Sequence, residues 1–112
     1  MKKIKLIGVS KSEDLNTYIF PKDPNFFSFI EKLLPELSFD SNDYYYECFG
    51  ENTNEKNFKE FLEKTYDKIW AAKQGNYLLE IIIGKDRIFV LIYTKKDLQQ
   101  EISKIISKLT TK

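Results

Sequence analysis

The sequence has no histidine, a single cysteine (Cys48) and a single arginine (Arg87), and only four of its 112 residues are glycine. Without histidine, the Ser-His and Cys-His nucleophile pairs and histidine-ligated metal centres are excluded. One cysteine excludes an intramolecular disulfide. Sparse glycine goes with the lack of a glycine-rich phosphate loop, and Gly-x-Ser-x-Gly and Cys-x-x-Cys motifs are missing too. Any catalysis would rest on carboxylates, lysine, tyrosine or Cys48 alone. No apolar run approaches the length of a bilayer span. The N-terminal lysines precede only Ile4, Leu6, Ile7 and Val9 as clear apolar residues, too few for the core of a secretion signal. The expectation is a cytoplasmic, non-enzymatic protein without cofactor or metal, independent of membranes, folded as one domain over residues 1–112.

What is present is a globular composition. Hydrophobic residues make up 42% and charged residues 31%, which argues against wholesale disorder. The residues organising the chain are 77–93, YLLEIIIGKDRIFVLIY. Their β-branched and aromatic content predicts two strands joined across the turn of residues 84–86. The left arm places Tyr77, Leu79, Ile81 and Ile83 opposite Leu78, Glu80 and Ile82. The right arm places Arg87, Phe89, Leu91 and Tyr93 opposite Ile88, Val90 and Ile92. Both faces are mostly apolar, so the hairpin should lie centrally with helices over it.

The remaining elements follow from spacing. Residues 2–9 read as a first strand, with Ile4 and Leu6 buried and Ile7 and Val9 half-buried; residues 10–16 read as a turn, and residues 17–20 as a short extended piece ended by Pro21. Asp23 is placed to cap a first helix with Pro24 at its first position. Phe26, Ile30, Leu33, Leu34 and Leu37 recur at helical spacing, and Pro35 should end or distort that helix near Leu34. Residues 44–49 could pair as a strand. A second helix is expected from Thr53 or Asn54 to about Lys73, with Phe58, Phe61, Leu62, Thr65, Ile69 and Ala72 as its stripe and Gly75 at its end. Thr94 should cap a third helix, with Asp97 in the capping-box position and Leu98, Ile102, Ile105, Ile106 and Leu109 facing inward. The order predicts an α+β fold: a mixed or antiparallel sheet centred on the 77–93 hairpin, with three helices packed on it.

Charge is distributed unevenly behind a net of +1. Residues 1–11 carry four lysines and no acid. Residues 12–67 carry thirteen acids and five lysines, a net of −8, and residues 68–112 carry nine bases and four acids, a net of +5. Within the acidic middle, Glu36, Asp40, Asp43, Glu47 and Glu51 occur with no base among them, and Tyr44, Tyr45 and Tyr46 lie in the same run. Tyrosine gives large contact area at little rotamer cost, so acid interleaved with tyrosine suits a basic protein surface. The bland alternative is a polar edge strand with solvated acids. A calcium loop starting at Asp40 fails, because its sixth position, which needs glycine, is Tyr45.

On the third predicted helix, Lys96, Lys104, Lys108 and Lys112 fall on one stripe that could meet phosphates; the plain reading is a solvated helix face interrupted by Asp97 and Glu101. Arg87, Phe89, Ile92 and Tyr93 faintly suggest an RNA-recognition strand, but that motif's glycines are missing. Cys48 beside Glu47 reads as a structural thiol, since a neighbouring carboxylate disfavours the thiolate. Glu80 interrupts the most apolar strand, so it either points outward or is buried with a partner.

Three functional expectations follow. The first is a small inhibitory protein that occludes a basic surface of a nuclease or toxin, as an immunity protein or a phage anti-defence protein does, through Asp40, Asp43, Tyr44, Tyr46, Glu47 and Glu51. The second is a nucleic-acid-binding module using Lys96, Lys104, Lys108 and the N-terminal lysines. The third is a carboxylate-dependent hydrolase built on Glu80 and an acid from the middle segment. A homo-oligomer is compatible with each.

Overall fold

A computed structural model describes residues 3–39, 44–45, 68–73 and 75–111 of the chain. Eight strands are present: β1 (Ile4–Lys5), β2 (Gly8–Lys11), β3 (Leu15–Pro21), β4 (Tyr44–Tyr45), β5 (Lys68–Lys73), β6 (Leu78–Ile83), β7 (Arg87–Tyr93) and β8 (Thr110–Thr111). The described helices are α1 (Asn25–Glu36) and α2 (Gln99–Leu109), the latter preceded by a 3-10 turn at Lys96–Leu98. Strands order as β2-β3-β7-β6-β5-β4 in one antiparallel sheet, while β1 and β8 form a separate parallel pair. The α+β class holds and the hairpin is central, with β3 on one flank and β5 on the other.

The hairpin forms as expected, and its register sets Ile83 opposite Ile88 and Leu78 opposite Tyr93. At its turn the Gly84 N–H donates to the Arg87 carbonyl at 2.9 Å, and a Cβ on residue 84 would meet that same oxygen at 3.0 Å. Glycine is needed there because two backbones approach closely. Burial alternates along both arms. Leu79, Ile81, Ile83, Ile88, Val90 and Ile92 are closed to solvent, whereas Leu78, Glu80, Ile82, Phe89, Leu91 and Tyr93 are half-buried.

Both described helices lie on the closed face. Phe20 of β3 packs its ring 4.8 Å from Phe29 and 5.6 Å from Phe26 of α1. Ile102, Ile105 and Ile106 of α2 enter the same core, and Leu98 and Leu109 pack at its margin.

Helix α1 shows how local sequence sets its ends. The Asp23 carboxylate accepts from the Asn25 N–H at 2.8 Å, so Asp23 caps the helix as its sequence position predicts. Pro35 lies inside α1, which ends at Glu36, two residues beyond the expected stop near Leu34. Ser38 then adopts φ 64°, and the N–H groups of Ser38 and Phe39 return to the carbonyls of Pro35 and Leu34 at 2.9 Å each. This is a Schellman closure with serine where glycine is usual.

Four expectations are corrected. Residues 68–73 are not the end of a helix but strand β5, paired residue for residue with β6. A short apolar run between two lysines fits either element, and six ladder pairs on a central strand decide for the sheet. The described residues carry two helices, and the body of the expected second helix, residues 53–67, lies outside them. The N-terminal strand is split. β1 ends at Lys5, β2 continues through Lys11 into the stretch expected as a turn, and β3 already starts at Leu15. On this edge strand, with a neighbour on one side only, Ile7 and Val9 are 46% and 48% exposed rather than half-buried. Finally, Thr94 does not cap α2. Its hydroxyl donates to the Asn76 carbonyl at 2.8 Å, tying the hairpin's open end, and α2 is entered through the 3-10 turn instead.

Candidate functional site

Of the acidic run, Tyr44 falls in a described element. It opens β4, the last strand of the sheet, where Tyr44 pairs with Ala72 and Tyr45 with Ala71. The expected partner-binding residues Asp40, Asp43, Tyr46, Glu47 and Glu51 lie outside the described residues. The backbone register sets Tyr45, Ala71, Glu80, Leu91 and Thr17 in one cross-strand row. Tyr44 and Tyr45, in the middle of the acidic run by sequence, thus lie at the margin of the sheet, and no strand is paired beyond β4 among the described residues.

The basic stripe is only partly free. Lys96 and Lys104 are exposed. Lys108 is held by Glu36 of α1 with Nζ to Oε1 at 2.6 Å, across 72 residues of sequence. With the two side chains 58% and 40% exposed, solvent screens the pair to roughly 0–1 kcal/mol. The pair still orients Lys108. The first carboxylate of the acidic run thereby meets the basic C-terminal helix.

Glu80 is half-buried on the face opposite the helices, and its cross-strand neighbours are Leu91 and Ala71. Its carboxylate accepts a hydrogen bond from Tyr93. Burial, then that hydrogen bond and the carboxylate's charge, push the Tyr93 phenol above its ordinary pKa. Glu80 is therefore engaged by a tyrosine; the acids of residues 40–67, from which a second carboxylate was expected, lie outside the described residues.

The sequence reading overlooked a polar cluster on the closed face. Asn16 is completely buried and donates from Nδ2 to the Tyr18 hydroxyl at 2.9 Å. Asn16 Oδ1 has no partner. Burial raises the Tyr18 pKa, with hydrogen bonds from Asn16 and Ser103 pulling the other way. Alternation in LNTYIFP could have revealed this, because Asn16 and Tyr18 share the period of Phe20. At the other end of the core, Tyr77 is raised by burial first and by the Glu101 charge second. Gln99 Nε2 donates to the carbonyls of Ser12 and Glu13 at 3.0 Å each, fastening the start of α2 to the β2–β3 turn.

Among the described residues no group of three or more histidine, cysteine or acidic side chains could hold a metal ion, and no helix is long and apolar enough to cross a membrane. Compared with known proteins, the chain matches no family model, no curated protein and no solved structure.

Proposed function

We propose that this protein is a small binding protein that occludes a basic surface of another protein through its acidic, tyrosine-bearing run, in the manner of an immunity protein or an anti-defence inhibitor. The observation that supports it is the place of Tyr44 and Tyr45 in the terminal strand of the sheet, within a stretch of sequence that holds Glu36, Asp40, Asp43, Glu47 and Glu51 with no base among them. Charge complementarity would speed encounter, and desolvated tyrosine anchors would set the lifetime of the complex. Asp43→Lys with Glu47→Lys is the test, read as affinity for the isolated partner across a salt series. The reading predicts at least about a tenfold loss and a flatter salt dependence. Unchanged affinity with an unchanged salt slope would remove the acidic run from the interface.

Nucleic-acid binding by the C-terminal helix is the lesser reading. Lys108, one of the three lysines that reading would use, already has a carboxylate partner in Glu36.

A further inference from the structure

The large apolar side chains that stand in water among the described residues are neighbours. Ile7 is 46% and Val9 48% exposed. Both belong to the margin of the main sheet, where β2 has β3 on one side and, among the described residues, no strand on the other. A single exposed apolar residue is ordinary, but two on one free edge form a patch.

The backbone of that edge is open as well. The Leu6 N–H donates to the Thr111 carbonyl at 2.7 Å, so β8 covers the chain up to residue 6, and the Ile7 N–H turns the other way, to the Ile19 carbonyl at 2.8 Å. From Gly8 to Lys11 the backbone pairing among the described residues runs to β3 alone. Alternate residues of such a strand direct N–H and C=O away from the sheet, where a further strand can pair with them. Val9 and Lys11 share one side of β2, opposite Tyr18 and Asn16 of β3, and the small residues Gly8 and Ser10 share the other.

Charge decides the occupant. Residues 1–11 carry four lysines and no acid, and Lys3, Lys5 and Lys11 are exposed. Two copies of β2 laid edge to edge would bring lysine-flanked strands together with no carboxylate on either, and like charges across a strand pair are destabilising. The lysines that guard the edge against a second copy match it to a strand bearing acids. Glu13 and Asp14 follow in the turn to β3, so the match ends at Lys11.

We propose that the outer edge of β2 takes up an extended acidic peptide of another protein as an added strand, with apolar residues of the peptide against Ile7 and Val9 and its carboxylates towards Lys5 and Lys11. Main-chain pairing holds the peptide, and the apolar and charged positions select it. The acidic run plays no part in this site, and no residue of that run is changed in the test.

The probe is the synthetic peptide Glu-Thr-Val-Thr-Val-Thr-Glu, blocked at both ends and titrated into the whole chain, with amide shifts followed by NMR. Saturable shifts centred on residues 7–11 are expected, with affinity falling as salt rises. Lys5→Glu with Lys11→Glu should weaken binding about tenfold, and Val9→Ser about threefold. Lys85→Glu with Lys104→Glu makes the same change in net charge at the hairpin turn and on α2, and should leave affinity unchanged. Proline in place of the peptide's threonines keeps its charge and its valines but removes main-chain donors, and should abolish saturable binding. Equal binding of the proline peptide, an equal loss in the Lys85 and Lys104 variant, or shifts centred away from residues 7–11 would each overturn the proposal. Shifts at residues 7–11 that grow with protein concentration in the absence of peptide would overturn it too, by showing that a second copy fills the edge. Every substituted side chain is exposed, and unchanged spectra away from β2 confirm that the variants fold.

Discussion

The two faces of the central hairpin are nearly alike in composition and unlike in environment. Leu79, Ile81, Ile83, Ile88, Val90 and Ile92 are closed beneath α1 and α2, whereas Leu78, Ile82, Phe89 and Leu91, just as apolar, remain half-open to solvent beside Glu80 and Tyr93. The polar groups differ in the same way. On the closed face Asn16 donates to the Tyr18 hydroxyl in the core while its Oδ1 stays without a partner, and on the other face Tyr93 meets Glu80 where water still reaches. Composition alone does not say which face carries the fold. The helices do, by selecting the face whose neighbours on β3 include Phe20.

The largest expected effect comes from a charge placed on each face in turn. Val90→Asp would bury an unpaired carboxylate at a fully closed position, costing more than about 4 kcal/mol and consuming most of the stability of a domain this size. Leu91→Asp, one residue along on the other face, should cost no more than about 2 kcal/mol, so circular dichroism should show a folded Leu91 variant and a largely unfolded Val90 variant.

Tyr18→Phe asks how much the closed face depends on its polar pair. Asn16 would lose its acceptor while its Oδ1 is already unpartnered, at a cost of about 1–3 kcal/mol by denaturant unfolding. The same variant has a pH signature. Tyr18, Tyr77 and Tyr93 all hold their protons more tightly in the folded protein than at the ordinary value of 10.0. Their contribution is therefore complete below pH 10 and is lost as the pH rises past 10 through the folded values. Stability should fall on that alkaline limb, and more shallowly in Tyr18→Phe.

The smallest effect sharpens the other face. Glu80→Gln removes the charge that helps keep Tyr93 protonated, so phenolate absorbance should show one tyrosine titrating earlier while Tyr18 stays where it was. Equal movement of both would mean that the two faces are electrostatically coupled.

The hairpin was readable because its alternation and its turn derive from residues close in sequence. The same is true of the Asp23 cap and of the inward face of α2. Residues 68–73 were misread because KIWAAK is too short for periodicity to separate strand from helix; its pairing with β6 is what decides. Thr94 was misassigned because its hydroxyl is taken by the Asn76 carbonyl, eighteen residues away. The Glu36–Lys108 pair joins residues 72 apart, so no local pattern foretold it, and it withdrew a lysine from the basic stripe. Of the acidic run, the described structure places Tyr44 and Tyr45 at the sheet margin.

The central claim is that one face of the hairpin carries the fold and the other does not, and neighbouring isoleucines test it most directly. Ile81 and Ile82 share chemistry and strand but stand on opposite faces, with Ile81 at 0% exposure and Ile82 half-buried. Denaturant unfolding of Ile81→Ala and Ile82→Ala should give losses of about 3–4 kcal/mol and about 1–2 kcal/mol respectively. Equal losses, or a larger one at Ile82, would contradict the account.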